Sequence, residues 1–129
     1  MSTDLGTTFL DAERYFNAGD WDALDPLLHS QVKMWHVDDR YAPIIGKADV
    51  MTYLRTHPQS FFYHQPQGPL ASSASAPGAS TVYQGGVVQG TAYWKDIASA
   101  SPVLIRYVFT FDQDSSGQWT IRTLKGWII

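Results

Sequence analysis

The strongest constraint on the fold lies near the end of the chain. Val103, Ile105, Tyr107, Phe109 and Phe111 alternate strictly with Leu104, Arg106, Val108 and Thr110. A period of two over nine residues is a strand with one face turned to an interior. The beginning of the chain has a different period. Leu5, Phe9, Ala12 and Phe16 fall at i, i+4, i+7 and i+11, the stripe of an amphipathic helix. Thr3 or Asp4 can cap its start, and Gly19 is a left-handed stop. Asp20 then caps a shorter segment carrying Trp21, Leu24, Leu27 and Leu28, broken at Pro26, with Asp25 capping the fresh turn.

The rest of the chain follows these two periods. From Gln31, the residues Val32, Met34 and His36 alternate with Lys33, Trp35 and Val37 as a strand. Asp38-Asp39-Arg40 is a turn, and residues 41–45 form a short strand or an extended connection. Gly46 precedes a third helix, from Lys47 to about Thr56, with Val50, Met51 and Leu54 on its apolar side. His57-Pro58 ends it, because a residue before proline is pushed out of helical geometry. Phe61, Phe62 and Tyr63 belong to a strand. Residues 66–80 are Pro, Gly, Ala and Ser with a single Leu, which predicts an exposed, mobile loop. Three strands follow, about 82–94, 103–112 and 118–128, the last two joined by a hairpin turn over Asp112 to Gly117. Helices first and an antiparallel meander after predict a single α+β domain over residues 1–129. Its sheet is curved, strongly twisted and mostly antiparallel, wrapped around the N-terminal helices as a cone with one pocket.

Composition removes several classes of function. The chain of 129 residues has no Cys, which excludes a disulfide framework, a zinc ribbon and a thiol nucleophile. A net charge of −3 gives no footprint for nucleic acid or an anionic membrane. No apolar run approaches a membrane span, and Met1-Ser2-Thr3-Asp4 has no signal-peptide character, so a cytoplasmic location is expected. The four His are seven or more residues apart, so no metal is expected. Asp112-Gln113-Asp114-Ser115-Ser116-Gly117 imitates half of a calcium loop, but Thr123 occupies the place of the bidentate Glu. Gly85-Gly86 with Gly90 lacks dinucleotide-loop spacing, and no Gly-x-Ser-x-Gly elbow exists. The unusual figure is 14% aromatic residues. Either the core is built of large rings, or the rings line a hollow with a few polar tips.

Four stretches in order and spacing resemble the SnoaL-like, nuclear-transport-factor-2-like superfamily. They are Tyr15-Phe16-Asn17-Ala18-Gly19-Asp20-Trp21-Asp22-Ala23-Leu24, Val32 to His36, Gly46-Lys47-Ala48-Asp49-Val50, and Phe109-Thr110-Phe111-Asp112 followed by Gly117-Gln118-Trp119-Thr120-Ile121. The superfamily includes ketosteroid isomerases, polyketide cyclases, scytalone dehydratase, limonene epoxide hydrolases, dioxygenase small subunits and non-enzymatic binding proteins. The resemblance implies one pocket opening into the cone and a homodimer formed through the outer sheet face. It places His36 at or beside the isomerase base, which is a carboxylate in those enzymes. It places Tyr107 where they keep an oxyanion donor, and their first-helix tyrosine falls on Ala12, with Tyr15 one turn away. Classical ketosteroid isomerisation is therefore not expected.

The candidate catalytic residues are His36, Tyr107 and Asp38. His36 shares a strand face with Val32 and Met34, and a neutral imidazole among rings can take a proton as a general base. Tyr107, in phase with Ile105 and Phe109, can donate to a substrate oxygen. Asp38 can orient the imidazole or serve as the base itself. The competing readings are a core histidine satisfied by protein, a core ring, and a solvated turn carboxylate. Candidate substrate-binding residues are Tyr15, Tyr53, His57, His64, Phe109 and Trp119. Trp94, Trp119 and Trp127 read first as core or dimer-face rings, and Arg106 is placed on the outer face. Two functions remain. One is a cofactor-independent enzyme acting on a small apolar oxygen-bearing molecule by isomerisation, dehydration, cyclisation or epoxide opening. The other is a non-catalytic protein of the same fold that binds a small molecule or dimerises.

Overall fold

The computed structural model describes residues 4–35, 42–56, 61–63, 82–95 and 103–128. Helix α1 spans Leu5–Ala18; Asp4 caps it by accepting from the Thr7 amide at 2.8 Å, and Gly19 ends it at φ 69°. Helix α2, Trp21–Leu24, is capped by Asp20, and a 3-10 turn over Asp25–Leu27 carries Pro26 in its first turn. Leu28, expected in the helical segment, instead begins strand β1, Leu28–Met34. After the turn around Pro26 the backbone becomes extended at Leu28, and its side chain is buried as part of the sheet.

Strand β2, Ile44–Ile45, pairs antiparallel with β1, and helix α3 spans Lys47–Thr56. Its buried residues are Val50, Met51 and Leu54, the apolar side the sequence predicts. Strand β3 is Phe61–Tyr63, β4 is Val82–Gln84, β5 is Val87–Lys95, β6 is Val103–Gln113 and β7 is Trp119–Ile128. The expected single strand over 82–94 is thus two strands folded on each other. Gln84 pairs with Val87 across Gly85 and Gly86, both at positive φ (59° and 80°). Two consecutive left-handed residues make the tight turn whose twist matches a hairpin, and glycine adopts it without steric cost. A side chain at Gly86 would also put its Cβ 2.9 Å from the Phe111 carbonyl oxygen.

The sheet order is β2-β1-β7-β6-β5-β3, with β4 on β5. Only β1 and β7 run parallel, so the sheet is mixed but mostly antiparallel. Two irregularities bend it. Thr110 pairs with Thr123 but Phe111 with Ile121, leaving Arg122 extra on β7, and β1 slips against β7 between Leu28 and Lys33. An extra residue on one strand kinks it and sharpens the local twist. Helices α1 and α3 lie on the sheet and enclose a core of Phe9, Leu28, Val32, Val50, Leu54, Val88, Ile105, Tyr107, Phe111 and Ile121. Arg106 is exposed on β6, on the outer side as expected. The expectations for residues 36–41, 57–60, 64–80 and 96–102 fall outside the described residues. Among the described residues no helix is long and apolar enough to cross a membrane, and no group of acidic residues and His gathers to hold a metal ion.

Candidate functional site

The concave side of the sheet is not filled evenly. Tyr107 is completely buried, and its ring stacks on Phe9 at 5.9 Å and meets Phe62 edge-on at 5.0 Å and Phe109 at 4.9 Å. Its neighbours across the strands are Gly90 on β5 and Gly126 on β7, so no side chain on either side competes for the space. Asn17 ties the facing helix to this cluster. Its amide donates to the Phe62 carbonyl at 2.6 Å, and its side-chain oxygen accepts from the Phe62 amide at 2.8 Å. One side chain thereby satisfies both backbone groups of Phe62 and fixes β3 against the end of α1.

Beside this cluster is a cavity of about 120 Å³. Phe9, Ala12, Glu13 and Phe16 line it from α1, Tyr53 and Leu54 from α3, and Met34 and Trp35 from the end of β1. Phe62, Trp94, Ile105, Phe109 and Leu124 close the sheet side. Trp94 lies against Phe16 with ring centroids 6.0 Å apart. It is therefore part of the cavity wall as well as a packing ring. Trp35 is held from without: the Lys33 and Lys125 ammonium groups lie 4.8 and 5.3 Å from its ring, and its amide donates to the Leu124 carbonyl.

Among the described lining residues Glu13 is the one charged side chain. It is 6% exposed, with Oε1 buried. It stands outside the apolar stripe of Leu5, Phe9, Ala12 and Phe16, which is the feature that local pattern makes visible. Its position carried the signal: four residues after Phe9 and three before Phe16, it shares their helix face. A carboxylate in a ring-lined hollow accepts hydrogen bonds from a ligand or takes a proton from it.

The expected site residues separate into four groups. Tyr53 and Phe109 line the cavity. Tyr107 points inward but belongs to the packed cluster beside it. Tyr15 and Trp119 are partly buried against the core and are not lining residues. Tyr15 lies under the Arg14 guanidinium at 5.1 Å, and Trp119 lies close to Gly86. His36, Asp38, His57 and His64 lie outside the described residues. His29, on β1, faces away from this site, with Nε2 3.9 Å from an Asp112 carboxylate oxygen.

No protein-family model matches the chain, and no curated protein matches it. Solved structures do. A nuclear-transport-factor-2-like protein of unknown function from Cytophaga hutchinsonii superposes with a TM-score of 0.72 at 9% identity, covering 100% of this chain and 95% of that one. A ketosteroid isomerase-like protein from Erwinia carotovora atroseptica gives 0.65 at 10% identity, over 95% of this chain and 92% of that one. An LEH-like epoxide hydrolase from M. tuberculosis gives 0.62 at 15% identity, over 95% and 80%. The chain therefore has the nuclear-transport-factor-2-like fold, an α+β cone. Identities this low establish the architecture and leave the activity to the site.

Proposed function

We propose that this chain takes a small apolar, oxygen-bearing molecule into the cone and acts on it by acid–base chemistry without a cofactor. The observation that carries the reading is the ring-lined cavity with a carboxylate in its wall. An apolar hollow with few polar groups is the usual build of a small-molecule site. Met34 and Trp35 of that wall directly precede His36 in the sequence, which makes His36 the first choice for the proton-transfer group. The isomerase-like and epoxide hydrolase-like neighbours are consistent with chemistry in such a pocket.

The test is deuterium exchange. Cyclohexanone is incubated with the protein in heavy water, its α-protons are followed by NMR, and binding is measured in parallel. Exchange faster than buffer, lost in His36→Ala, is the expected result. Binding without exchange would leave the non-catalytic reading, a pocket protein of the same fold. A homodimer through the outer sheet face belongs to the proposal, because Leu104 and Trp127 stand 46% and 38% exposed there. Sedimentation at a monomer mass would remove it.

A further inference from the structure

We infer that Phe109 is the floor of the cavity and limits its ligand to a single ring. The inference rests on the small-molecule reading and narrows its substrate class.

Phe109 stands where the hollow meets the packed cluster. On β6 it shares an inward phase with Tyr107 and Phe111, both buried, yet it is itself only half-buried. It lines the cavity, so part of its ring is turned to that space. Behind it are three rings, with centroids at 4.9 Å for Tyr107, 5.5 Å for Phe62 and 6.0 Å for Phe9. Tyr107 is completely buried and does not line the cavity, so Phe109 stands between it and the hollow. Gly126, across from Tyr107 on β7, does line it, and the hollow therefore reaches the edge of the cluster. Size follows from this floor. A cavity of about 120 Å³ is close to the roughly 150 Å³ that holds one benzene ring. A second fused ring directed inward would have to take the place of the Phe109 ring, and close-packed neighbours do not yield that volume. Hydrophobicity alone argues the other way, because every further CH₂ buried in an apolar site favours the larger ligand. A preference for the smaller of two ketones is therefore the mark of a floor and not of transfer from water. Truncating Phe109 removes the floor. A deleted core ring leaves apolar space that its surroundings fill only in part, and here that space would be continuous with the cavity.

The experiment is an NMR titration of the wild-type protein with cyclohexanone and with decalone, neutral ketones that differ by one fused ring. The wild type is expected to bind cyclohexanone at least about tenfold more tightly than decalone. Phe109→Ala, checked for folding by circular dichroism, is expected to reverse that order. Phe109→Leu keeps more of the packing and is expected to narrow the gap; it carries the test if Phe109→Ala does not fold. Decalone bound by the wild type as tightly as cyclohexanone overturns the single-ring limit and leaves the pocket reading standing. A wild-type preference that the folded variants leave unchanged overturns the role of Phe109. Binding of neither ketone by the wild type overturns the single-ring limit together with the small-molecule reading.

Discussion

The packed ring cluster and the cavity beside it are made of the same kinds of side chain and share Phe9, Phe62 and Phe109, yet one is solid and the other hollow. The difference is one of neighbours. In the cluster Tyr107 rises between Gly90 and Gly126, and its ring packs against Phe9, Phe62 and Phe109. Around the cavity Phe16 lies against Trp94, and between Phe9 and Phe16 the α1 wall carries Ala12, too short to reach across. The packed half supplies stability, and the hollow half gives some of it up for a space that a ligand can occupy.

That division predicts a graded set of effects. Tyr107→Ala is expected to cost about 3–5 kcal/mol in urea unfolding, since a large buried ring leaves a cavity the sheet cannot close. A cost near zero would mean that the cluster is as loose as the cavity. Asn17→Ala is next, at about 1–3 kcal/mol, because it leaves both backbone groups of Phe62 without their side-chain partner. As Phe62 belongs to both halves, ligand binding should weaken in the same variant; binding that stays intact would separate β3 from the site.

Ala12→Leu should invert the pattern. Leucine keeps the helix and fills the hollow, so stability should move by less than about 1 kcal/mol in either direction while cyclohexanone binding is lost. Unchanged binding would place the ligand elsewhere.

The smallest effect lies far from both halves, in the β6–β7 turn. Asp114 Oδ1 accepts from Ser116 Oγ at 2.6 Å, from the Ser116 amide at 2.9 Å and from the Gln118 amide at 3.0 Å. The Ser116 hydroxyl first, and then the Gln118 amide, hold its carboxyl below the ordinary value of 3.8. A carboxyl lowered on folding contributes stability that is present above its unfolded value and lost as pH falls through the folded one. Urea midpoints measured from about pH 5 down to about pH 2 should therefore fall slightly less in Asp114→Asn than in the wild type. An equal fall would show that the turn carboxylate contributes nothing to acid sensitivity. Asp4, lowered chiefly by the Thr7 amide, has the same sign.

Much of the fold was legible from local pattern. The α1 stripe, the Asp4 and Gly19 ends, the apolar side of α3 and the alternation of β6 appear where the sequence puts them. The hairpin at Gly85-Gly86 was also written in the sequence, but the apolar residues on both sides disguised it as one long strand. The site was less legible. Tyr53 and Phe109 reach the cavity, while Tyr107, which shares the strand phase of Phe109, packs beside it. Phase says that a side chain points inward; it does not say whether that inward space is full.

The sequence alone determined the types of element, because a period of 3.6 or 2 is a property of neighbouring residues. It also placed a carboxylate, Glu13, beside the apolar face of α1. The tertiary structure decided that β7 joins β1 in parallel, and that Gly90 and Gly126 flank Tyr107. It decided, too, that Glu13 and Trp94 share one hollow. A cavity is the volume left over when distant segments with side chains of unequal size meet, and no local stretch of chain carries that difference.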